Sequence, residues 1–410
     1  MKLIVNSGVF GIQALELAAI HLLWIACVFD PSAGFFKIKF IAVSLVLVVL
    51  LLRFLLGFRG FNFNANYLII VLPFLFYLPI YGMFVSSLRG GAAAPFIDTS
   101  YITSVIYLFC SLLYMFPGNL SIAYKAMIQS LRLLCFVMLL GLGGLLLGSR
   151  EFLDFFVENG AAFIGDREYS GIGFYYIYFI VSPMLVFLVC NDTWSFIRGR
   201  SIARFSILML SVAALFLSGT RANMIIAVLA PLFVFIWYAY GKFSLLLLVL
   251  AAIFFFLVLN VFDVPVLSDM FSADDDNNYT KLSYLPGYIE IFGNLDNFFW
   301  GQGFNAHLWS GVVFEMLPEG ASKTELTYLE MLRVFGFWNF FFWIIVIGFM
   351  VLSKRINDSP YPWLAPALFL YLVVSASNPY IFSSNGMLLF GFVAAVIGCS
   401  KKNQKRLLPD

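Results

Sequence analysis

The sequence is poor in charged residues, which make up 11% of its 410 residues, whereas about 25% is typical of soluble proteins. Hydrophobic residues make up 62% of the chain. This balance excludes an ordinary soluble domain and indicates an integral membrane protein. The net charge is only +2, and we expect no nucleic-acid partner.

Cysteine is also scarce, and all five cysteines fall in apolar runs: Cys27, Cys110, Cys135, Cys190 and Cys399. Their spacing matches neither a disulfide framework nor a metal site, so we interpret them as small core residues. The acidic run of Asp274, Asp275 and Asp276 lacks the turn glycine and distal glutamate of a calcium loop. It is more typical of a solvated loop, and the sequence predicts neither a metal nor a cofactor.

We expect no cleavable signal peptide and interpret the first apolar run, residues 8–29, as a transmembrane helix, because no small-residue cleavage site follows it. Runs of about 17–25 apolar residues mark membrane-spanning helices. The sequence contains about twelve such runs: 8–29, 40–57, 66–86, 99–116, 129–148, 171–190, 204–219, 222–240, 243–262, 326–351, 360–377 and 385–399. We therefore predict an all-α fold, a polytopic bundle of about twelve transmembrane helices.

The basic residues gather on one side of this predicted bundle. If the amino terminus is inside, that side carries fifteen of the 24 lysines and arginines: Lys2, Arg53, Arg59, Lys125, Arg132, Arg198, Arg200, Arg204, Lys242, Lys354, Arg355, Lys401, Lys402, Lys405 and Arg406. Lysine and arginine mark the cytoplasmic side. The pattern therefore predicts that both termini are cytoplasmic.

The opposite side collects most acidic residues and the two longest loops, 149–170 and 263–325. We treat residues 1–410 as a single integral membrane domain with these two loops on its non-cytoplasmic face. The second loop contains YIEIFGNLDNFFWGQGF. Disordered segments are poor in aromatic residues, so we expect this loop to fold against the helices.

Two arginines lie on the predicted outer face. Arg221 follows SGT in a tight turn between two apolar runs, and Arg167 stands in GDREYSGIGFYY at the start of another. A charge deep inside a membrane costs about 2.5–3.5 kcal/mol or more, which favours a surface position for Arg221. Arg221 could instead cap the preceding helix or reach lipid phosphates, and Arg167 could simply pair with Asp166 or Glu168.

The segment ELTYLEMLRVFG provides further candidates. If Glu325 opens a helix, then Glu325, Tyr328 and Gly336 share one helix face. Glu330 and Arg333 can pair at the i, i+3 spacing. Glu325 could also be favoured only by the dipole at the start of its helix.

Histidine occurs only twice. His307, in GQGFNAHLW, is a candidate for substrate contact, although a lone histidine is more often an ordinary hydrogen-bonding group. His21 and Glu16, in the first apolar run, could face the interior of the bundle.

The outer-face residues form a chemically sensible set. Two guanidinium groups can clamp a diphosphate through paired hydrogen bonds, and a nearby carboxylate can accept a proton from a hydroxyl. Such a set could transfer a sugar from a lipid diphosphate to an alcohol without a metal, because the arginines would stabilise the charge on the leaving diphosphate.

The same segments resemble the bacterial O-antigen polymerase and ligase superfamily. SGTRA resembles the short turn between two central helices of that family, GDREYSGIGFYY its other arginine segment, and FFWGQGFNAHLW with ELTYLEMLRVFGFW its Gly-x-Gly loop and following helix. The resemblance covers roughly residues 160–345. Ligases usually carry a histidine where this chain has Glu325, which favours the polymerase branch, although His307 lies upstream and could replace that histidine.

The resemblance implies an enzyme of the bacterial inner membrane with its active site facing the periplasm. It implies polymerisation of undecaprenyl-diphosphate-linked oligosaccharide repeat units, with membrane lipids and a regulator of chain length as further partners. On this basis Arg167 and Arg221 grip diphosphate and Glu325 is the base or positions the acceptor. Tyr328, His307 and Arg333 are candidate substrate contacts.

A transporter or flippase is the main alternative, since twelve helices also suit secondary transporters. Transporters, however, often place charged or broken helices near the membrane midplane. Here the charged candidates gather on one face, which favours an enzyme.

Overall fold

The computed structural model describes residues 2–35, 37–57, 61, 64–90, 97–169, 171–241, 243–247, 276–312, 314, 317 and 323–399. Six described helices are long and apolar enough to cross a membrane: Gly11–Phe29, Ile38–Leu55, Ala65–Gly90, Asn119–Leu146, Arg221–Tyr240 and Thr327–Asn357. The chain is therefore a mostly helical membrane protein. The ninth predicted run, 243–262, lies outside the described residues except for 243–247.

The helices follow the apolar runs because a continuous apolar run can bury every side of a helix. They are α1 (Lys2–Phe29), α2 (Ile38–Leu55), α3 (Ala65–Leu72), α4 (Leu78–Gly90), α5 (Thr99–Cys110), α6 (Asn119–Leu146), α7 (Glu151–Glu158), α8 (Leu185–Gly199), α9 (Ile202–Leu217), α10 (Arg221–Tyr240), α11 (Asp276–Ser283), α12 (Leu285–Gly293), α13 (Leu295–Trp300), α14 (Thr327–Val351), α15 (Lys354–Asn357), α16 (Leu364–Val374) and α17 (Ser384–Gly398).

The bundle is organised around a short helix near the carboxyl end of the chain. Every residue of α17 is buried, and α17 packs against α3 and α5. Elsewhere α1 packs against α2 and α6, and α8 packs against α9 and α10. A helix that is apolar on all sides belongs in such a central position.

One predicted membrane span was wrong. Residues 171–190 do not form a helix throughout, because a hairpin of β1 (Ala162–Tyr169) and β2 (Ile172–Phe179) precedes α8. The strands are antiparallel and pair Arg167 with Phe174. Aromatic and β-branched residues favour strands, and the eight-residue segment Ile172–Phe179 (IGFYYIYF) is rich in both. The described chain is mostly helical, as predicted, and this hairpin is the small sheet that it contains.

The loop predicted at 263–325 contains ordered structure, as expected from its aromatic residues. Helices α11, α12 and α13 lie within it. Tyr284, Tyr288, Ile291 and Phe314 form a small hydrophobic core of their own. This core holds the described part of the loop together beside the start of α14, since Leu326 and Leu329 pack against it.

Candidate functional site

Arg221 is held at a fixed position by the turn before it. Thr220 is the N-cap of α10, and its side chain accepts a hydrogen bond from the Asn223 backbone N–H. The buried Asn223 side chain donates to the Ser218 hydroxyl at 2.8 Å. Arg221 is thus the first residue of its helix, in the tight turn that the sequence predicted.

Helix α11 joins Arg221 to Glu325. The Arg221 guanidinium donates to the Asn278 side-chain oxygen at 2.5 Å. Lys281 lies one helical turn further along and places its ammonium 3.5 Å from a Glu325 carboxylate oxygen. Residues three apart on a helix share a face, so these two contacts bring Arg221 and Glu325 to neighbouring positions.

Arg167 is connected to the turn before Arg221 through an aromatic ring. Its guanidinium lies over the Tyr176 ring, 5.2 Å from the ring centre. Tyr176 in turn packs on Gly219, where a Cβ atom would come within 2.3 Å of the Tyr176 Cβ. Gly219 also has a φ of +69°, which favours glycine. We call Arg167, Arg221, Asn278, Lys281 and Glu325 the arginine cluster.

Glu325 does not open a helix, so this part of the prediction was wrong. The N-cap of α14 is Leu326, and Glu325 precedes it with about half of its side chain exposed (53%). The predicted shared face of Glu325, Tyr328 and Gly336 fails for a second reason, because Gly336 is non-helical (φ 74°, ψ 170°) and breaks α14. The exposed carboxylate is nevertheless accessible to a substrate.

Two tyrosines missed by the sequence analysis lie near Glu325. The hydroxyls of Tyr178 in β2 and of Tyr380 are 2.9 Å apart. Burial raises the pKa of both hydroxyls, and the Glu325 charge raises each of them further. Both therefore stay protonated and can donate hydrogen bonds.

The sequence held only weak signals for the other missed residues. Lys281 is the only lysine or arginine between positions 263 and 322, and Asn278 lies two residues after the acidic run of Asp274, Asp275 and Asp276. Asp276 begins α11, whereas Asp274 and Asp275 lie outside the described residues. Within the described part of the chain, no three histidine, cysteine or acidic side chains form a group that could hold a metal.

Glu330 and Arg333 form the predicted i, i+3 pair. Arg333 donates to one Glu330 oxygen from Nε at 2.8 Å and from Nη2 at 2.7 Å. The other Glu330 oxygen accepts from the Thr324 backbone N–H at 2.8 Å. Both side chains are buried. We call these two residues the buried pair; it anchors the segment that carries Glu325.

A glycine loop makes the buried pair possible. The backbone N–H groups of Gln302 and Gly303 donate to the carbonyl oxygens of Arg333 and Val334, which α14 leaves without helical partners at its break. At Gly336, a Cβ would lie 2.4 Å from the Phe299 carbonyl oxygen. Only glycine fits at position 336. The close approach of the loop to α14 accounts both for Gly336 and for the Gly-x-Gly segment at 301–303.

The remaining predicted contacts lie elsewhere. Tyr328 donates its hydroxyl to the Leu372 carbonyl in α16 and packs against Trp343, so it is part of the helix packing. His307 is partly buried, and its pKa is lowered from 6.5 by burial and by the Arg333 charge, with Glu330 and Asp98 opposing. Arg333 is itself one of the buried pair, so it is part of the fold.

The two groups in the first apolar run also have defined partners. Glu16 is buried and accepts two hydrogen bonds from Arg53 of α2, at 2.6 and 2.7 Å. This bonding supports the expectation that Glu16 faces the bundle interior. The His21 ring nitrogen is 2.9 Å from the Leu17 carbonyl oxygen, an interaction within its own helix.

The sequence matches no protein-family model, and no curated protein matches it.

Proposed function

We propose that this membrane protein transfers saccharides between lipid carriers, polymerising undecaprenyl-diphosphate-linked repeat units. The observation that carries the proposal is the arginine cluster. Helix α11 contacts both Arg221 and Glu325, and Arg167 lies over Tyr176, which packs on Gly219 two residues before Arg221. The resemblance to the O-antigen polymerases and ligases rests on these same segments.

The proposed reaction is a substitution at the sugar carbon attached to the donor diphosphate. The acceptor hydroxyl oxygen bonds to that carbon, and the bond from the carbon to the diphosphate oxygen breaks. Glu325 takes the hydroxyl proton, as a general base must. Arg167 and Arg221 stabilise the charge that the leaving diphosphate gains.

The surroundings suit this division of roles. Thr220 and Asn278 fix Arg221 in place, and a preorganised donor needs no rearrangement as charge develops. The buried pair holds Thr324, one residue before Glu325, so the carboxylate stays at the rim of the cluster.

We place the cluster on the periplasmic face of the bacterial inner membrane, with both termini cytoplasmic. The distribution of lysine and arginine supports this orientation. Contacts between loops also support this orientation, because loops predicted on the same side of the membrane contact one another. Ser32 donates to the Asn159 carbonyl and Asn305 to the Ile97 carbonyl; on the other side, Arg355 donates to the Ile397 carbonyl.

The ligase alternative depends on His307. His307 lies in the short turn Ala306–Leu308, whose preceding residue Asn305 donates to the Ile97 carbonyl, whereas Glu325 pairs with Lys281 of the arginine cluster. This placement favours Glu325 as the reactive group, and therefore the polymerase branch.

The test is reconstitution of the purified protein with a synthetic undecaprenyl-diphosphate-linked repeat unit as the only substrate. A ladder of lengthening saccharides on a gel is the expected product, and Arg221→Ala should abolish it. Arg150→Ala is a matched control, since Arg150 is also predicted on the outer face and pairs with Asp154 in an exposed position. Transfer only after addition of lipid A-core would identify a ligase, and no transfer to any acceptor would contradict the proposal.

A further inference from the structure

A cavity of about 380 Å³ lies between the first turns of α2 and α5 and the segment before α17. Its volume falls in the range of about 300–1,000 Å³ that is usual for small-ligand sites. Two lysines and six serine and threonine residues line it, together with the aromatic rings of Phe40, Tyr107 and Phe382. We call it the lysine cavity.

A second cavity of about 50 Å³ is adjacent to the lysine cavity. Lys323, Pro379 and Phe382 line both of them, so the two cavities are neighbouring parts of one site. The site lies beside the arginine cluster, because Lys323 is two residues before Glu325.

The two lysines give the lysine cavity a positive charge. Lys39 is buried, its ammonium donates to the Pro31 carbonyl oxygen, and it lies 5.3 Å from the centre of the Tyr107 ring. Lys323 donates to the Ser100 hydroxyl at 2.9 Å. An ammonium group has three N–H donors, so each lysine keeps donors for a ligand. Buried charges are normally paired, which favours a ligand with a negative charge.

Asp30 precedes α2 and is engaged with the backbone. One of its carboxylate oxygens accepts from the Phe35 N–H at 2.9 Å, and the other accepts from the Lys39 N–H at 3.2 Å. The Lys39 ammonium itself donates to a neutral carbonyl oxygen. A ligand anion can therefore still pair with this ammonium.

The hydroxyl groups of the lysine cavity use their protons within the protein. Ser32, Thr103 and Ser104 each donate to a backbone carbonyl oxygen, at distances of 2.8–3.0 Å. A hydroxyl oxygen has two acceptor lone pairs, so these oxygens can accept hydrogen bonds from a ligand. The ligand that suits the cavity carries hydroxyl donors in addition to its negative charge.

The smaller cavity suits the uncharged part of such a ligand. Asp98 lines it, and an ionised carboxylate only accepts hydrogen bonds. Tyr101 and Thr327 also line it and are buried. Within the part of the chain that the structure describes, their hydroxyls have no hydrogen-bond partner. Buried polar groups are normally bonded, so ligand hydroxyl groups fit here, whereas an anionic group would be repelled by Asp98.

We propose that the two cavities bind an acidic saccharide, with its carboxylate between Lys39 and Lys323. Its neutral hydroxyl groups lie toward Asp98, Tyr101 and Thr327. A sugar acid has both a charge for the lysines and donors for the acceptor groups, whereas a phosphate group lacks the donors and a neutral sugar leaves the lysines unpaired. This assignment rests on the proposed function for its biological role: the bound saccharide is then part of the acceptor repeat unit, which contains a carboxylate-bearing sugar.

The test measures equilibrium binding of sugar acids to the full-length protein in detergent by ligand-observed NMR titration. The probes are the methyl glycosides of glucuronic, galacturonic and mannuronic acid, each compared with its uncharged carboxamide. Arg221→Ala is present in every sample, so that anion binding at the arginine cluster does not contribute. Lys39→Gln and Lys323→Gln each remove one cation. Lys37→Gln is the matched control, since Lys37 is an exposed lysine two residues before Lys39 and does not line the cavity.

We expect at least one methyl uronide to bind about tenfold or more tightly than its carboxamide, which is the effect of one hydrogen bond to a charged group. Lys39→Gln and Lys323→Gln should each remove most of this preference, and Lys37→Gln should leave it unchanged. Thermal unfolding of each variant checks its fold. Lys323 is only partly buried, so Lys323→Gln still tests the proposal if Lys39→Gln does not fold.

Two kinds of result would overturn the proposal. The first is no preference for any uronide over its carboxamide, or a loss of preference in Lys37→Gln as large as in the cavity variants. The second is binding of inorganic phosphate as tight as that of the best uronide and equally sensitive to Lys323→Gln, which would identify a phosphate site.

The acidic-saccharide site and the transferase can fail separately. A preference for a uronide that depends on Lys323, together with no saccharide ladder from the unmodified protein, would support the site and refute the transferase. A ladder from the unmodified protein, together with no preference for any uronide, would support the transferase and refute the site.

Discussion

Glu325 and Glu330 are five residues apart and have opposite environments. Glu325 is 53% exposed and has Lys281 at 3.5 Å. Glu330 is buried and uses both oxygens, one for Arg333 and one for the Thr324 backbone. A carboxylate with both oxygens occupied is part of the fold, whereas an exposed one can accept a proton. The same residue type thus has two roles, and position alone separates them.

The two arginines differ in the same way. Arg333 is 2% exposed and bonded within its own helix. Arg221 stands at a helix start and reaches across to another segment. We therefore expect substitutions in the buried pair to change stability first, and substitutions in the arginine cluster to change activity alone.

The largest effect should come from breaking the buried pair. Arg333→Ala leaves the Glu330 carboxylate buried without its partner, which typically costs about 3–5 kcal/mol. We expect a strongly lowered Tm, measured by scanning fluorimetry in detergent. The double variant Glu330→Leu/Arg333→Met should recover much of the loss, because a well-packed apolar pair can replace a buried ion pair. An unchanged Tm for Arg333→Ala would contradict the conclusion that Arg333 stabilises the fold.

The next effect concerns the geometry of Arg221. Arg221→Lys keeps the charge and loses the planar fork that binds two phosphate oxygens. We expect a loss of about 100-fold or more in the rate of ladder formation, as for removal of one preorganised donor. Tm should be unchanged. Normal polymer from this variant would leave Arg221 with a role in capping or lipid contact only.

The substitution Glu325→Gln tests whether Glu325, unlike Glu330, acts in the reaction and not in stability. If Glu325 is the base, the rate should fall about 100-fold or more, while Tm stays that of the parent protein because the side chain is exposed. Single-turnover transfer assays and fluorimetry on the same preparation measure both quantities. A Glu325→Gln variant that keeps its activity but has a lowered Tm would give Glu325 a structural role instead of a catalytic one.

The smallest effect is the pH dependence contributed by His307. Burial and the Arg333 charge hold its pKa below 6.5 in the folded protein, so the unfolded chain binds the proton more readily. Its contribution to stability is complete above about pH 6.5 and is lost as the pH falls below that value. We expect the Tm of His307→Gln to fall less than that of the parent protein when the pH is lowered from 7.5 to 5.5. An identical dependence of Tm on pH in the two proteins would contradict this account.

Much of the prediction came from local patterns in the sequence. The apolar runs marked most helices, and the i, i+3 spacing marked the Glu330–Arg333 pair, because both depend on residues close together in the chain. The SGT turn before Arg221 was equally readable, since Thr220 caps the helix that follows. The β1–β2 hairpin was missed because the apolar strand Ile172–Phe179 is followed closely by the apolar start of α8, so the two together have the length of one membrane span.

The sequence by itself determined that the chain enters a membrane, where most of its helices lie and which residues carry charge, since hydrophobicity and helix periodicity are local properties. Only the tertiary structure decided which glutamate is buried and which arginine bonds to a distant segment. Asn278, Lys281, Tyr176 and Tyr380 became neighbours of the predicted site through contacts between distant segments. Such contacts depend on packing of the whole bundle, and no short pattern in the sequence encodes them.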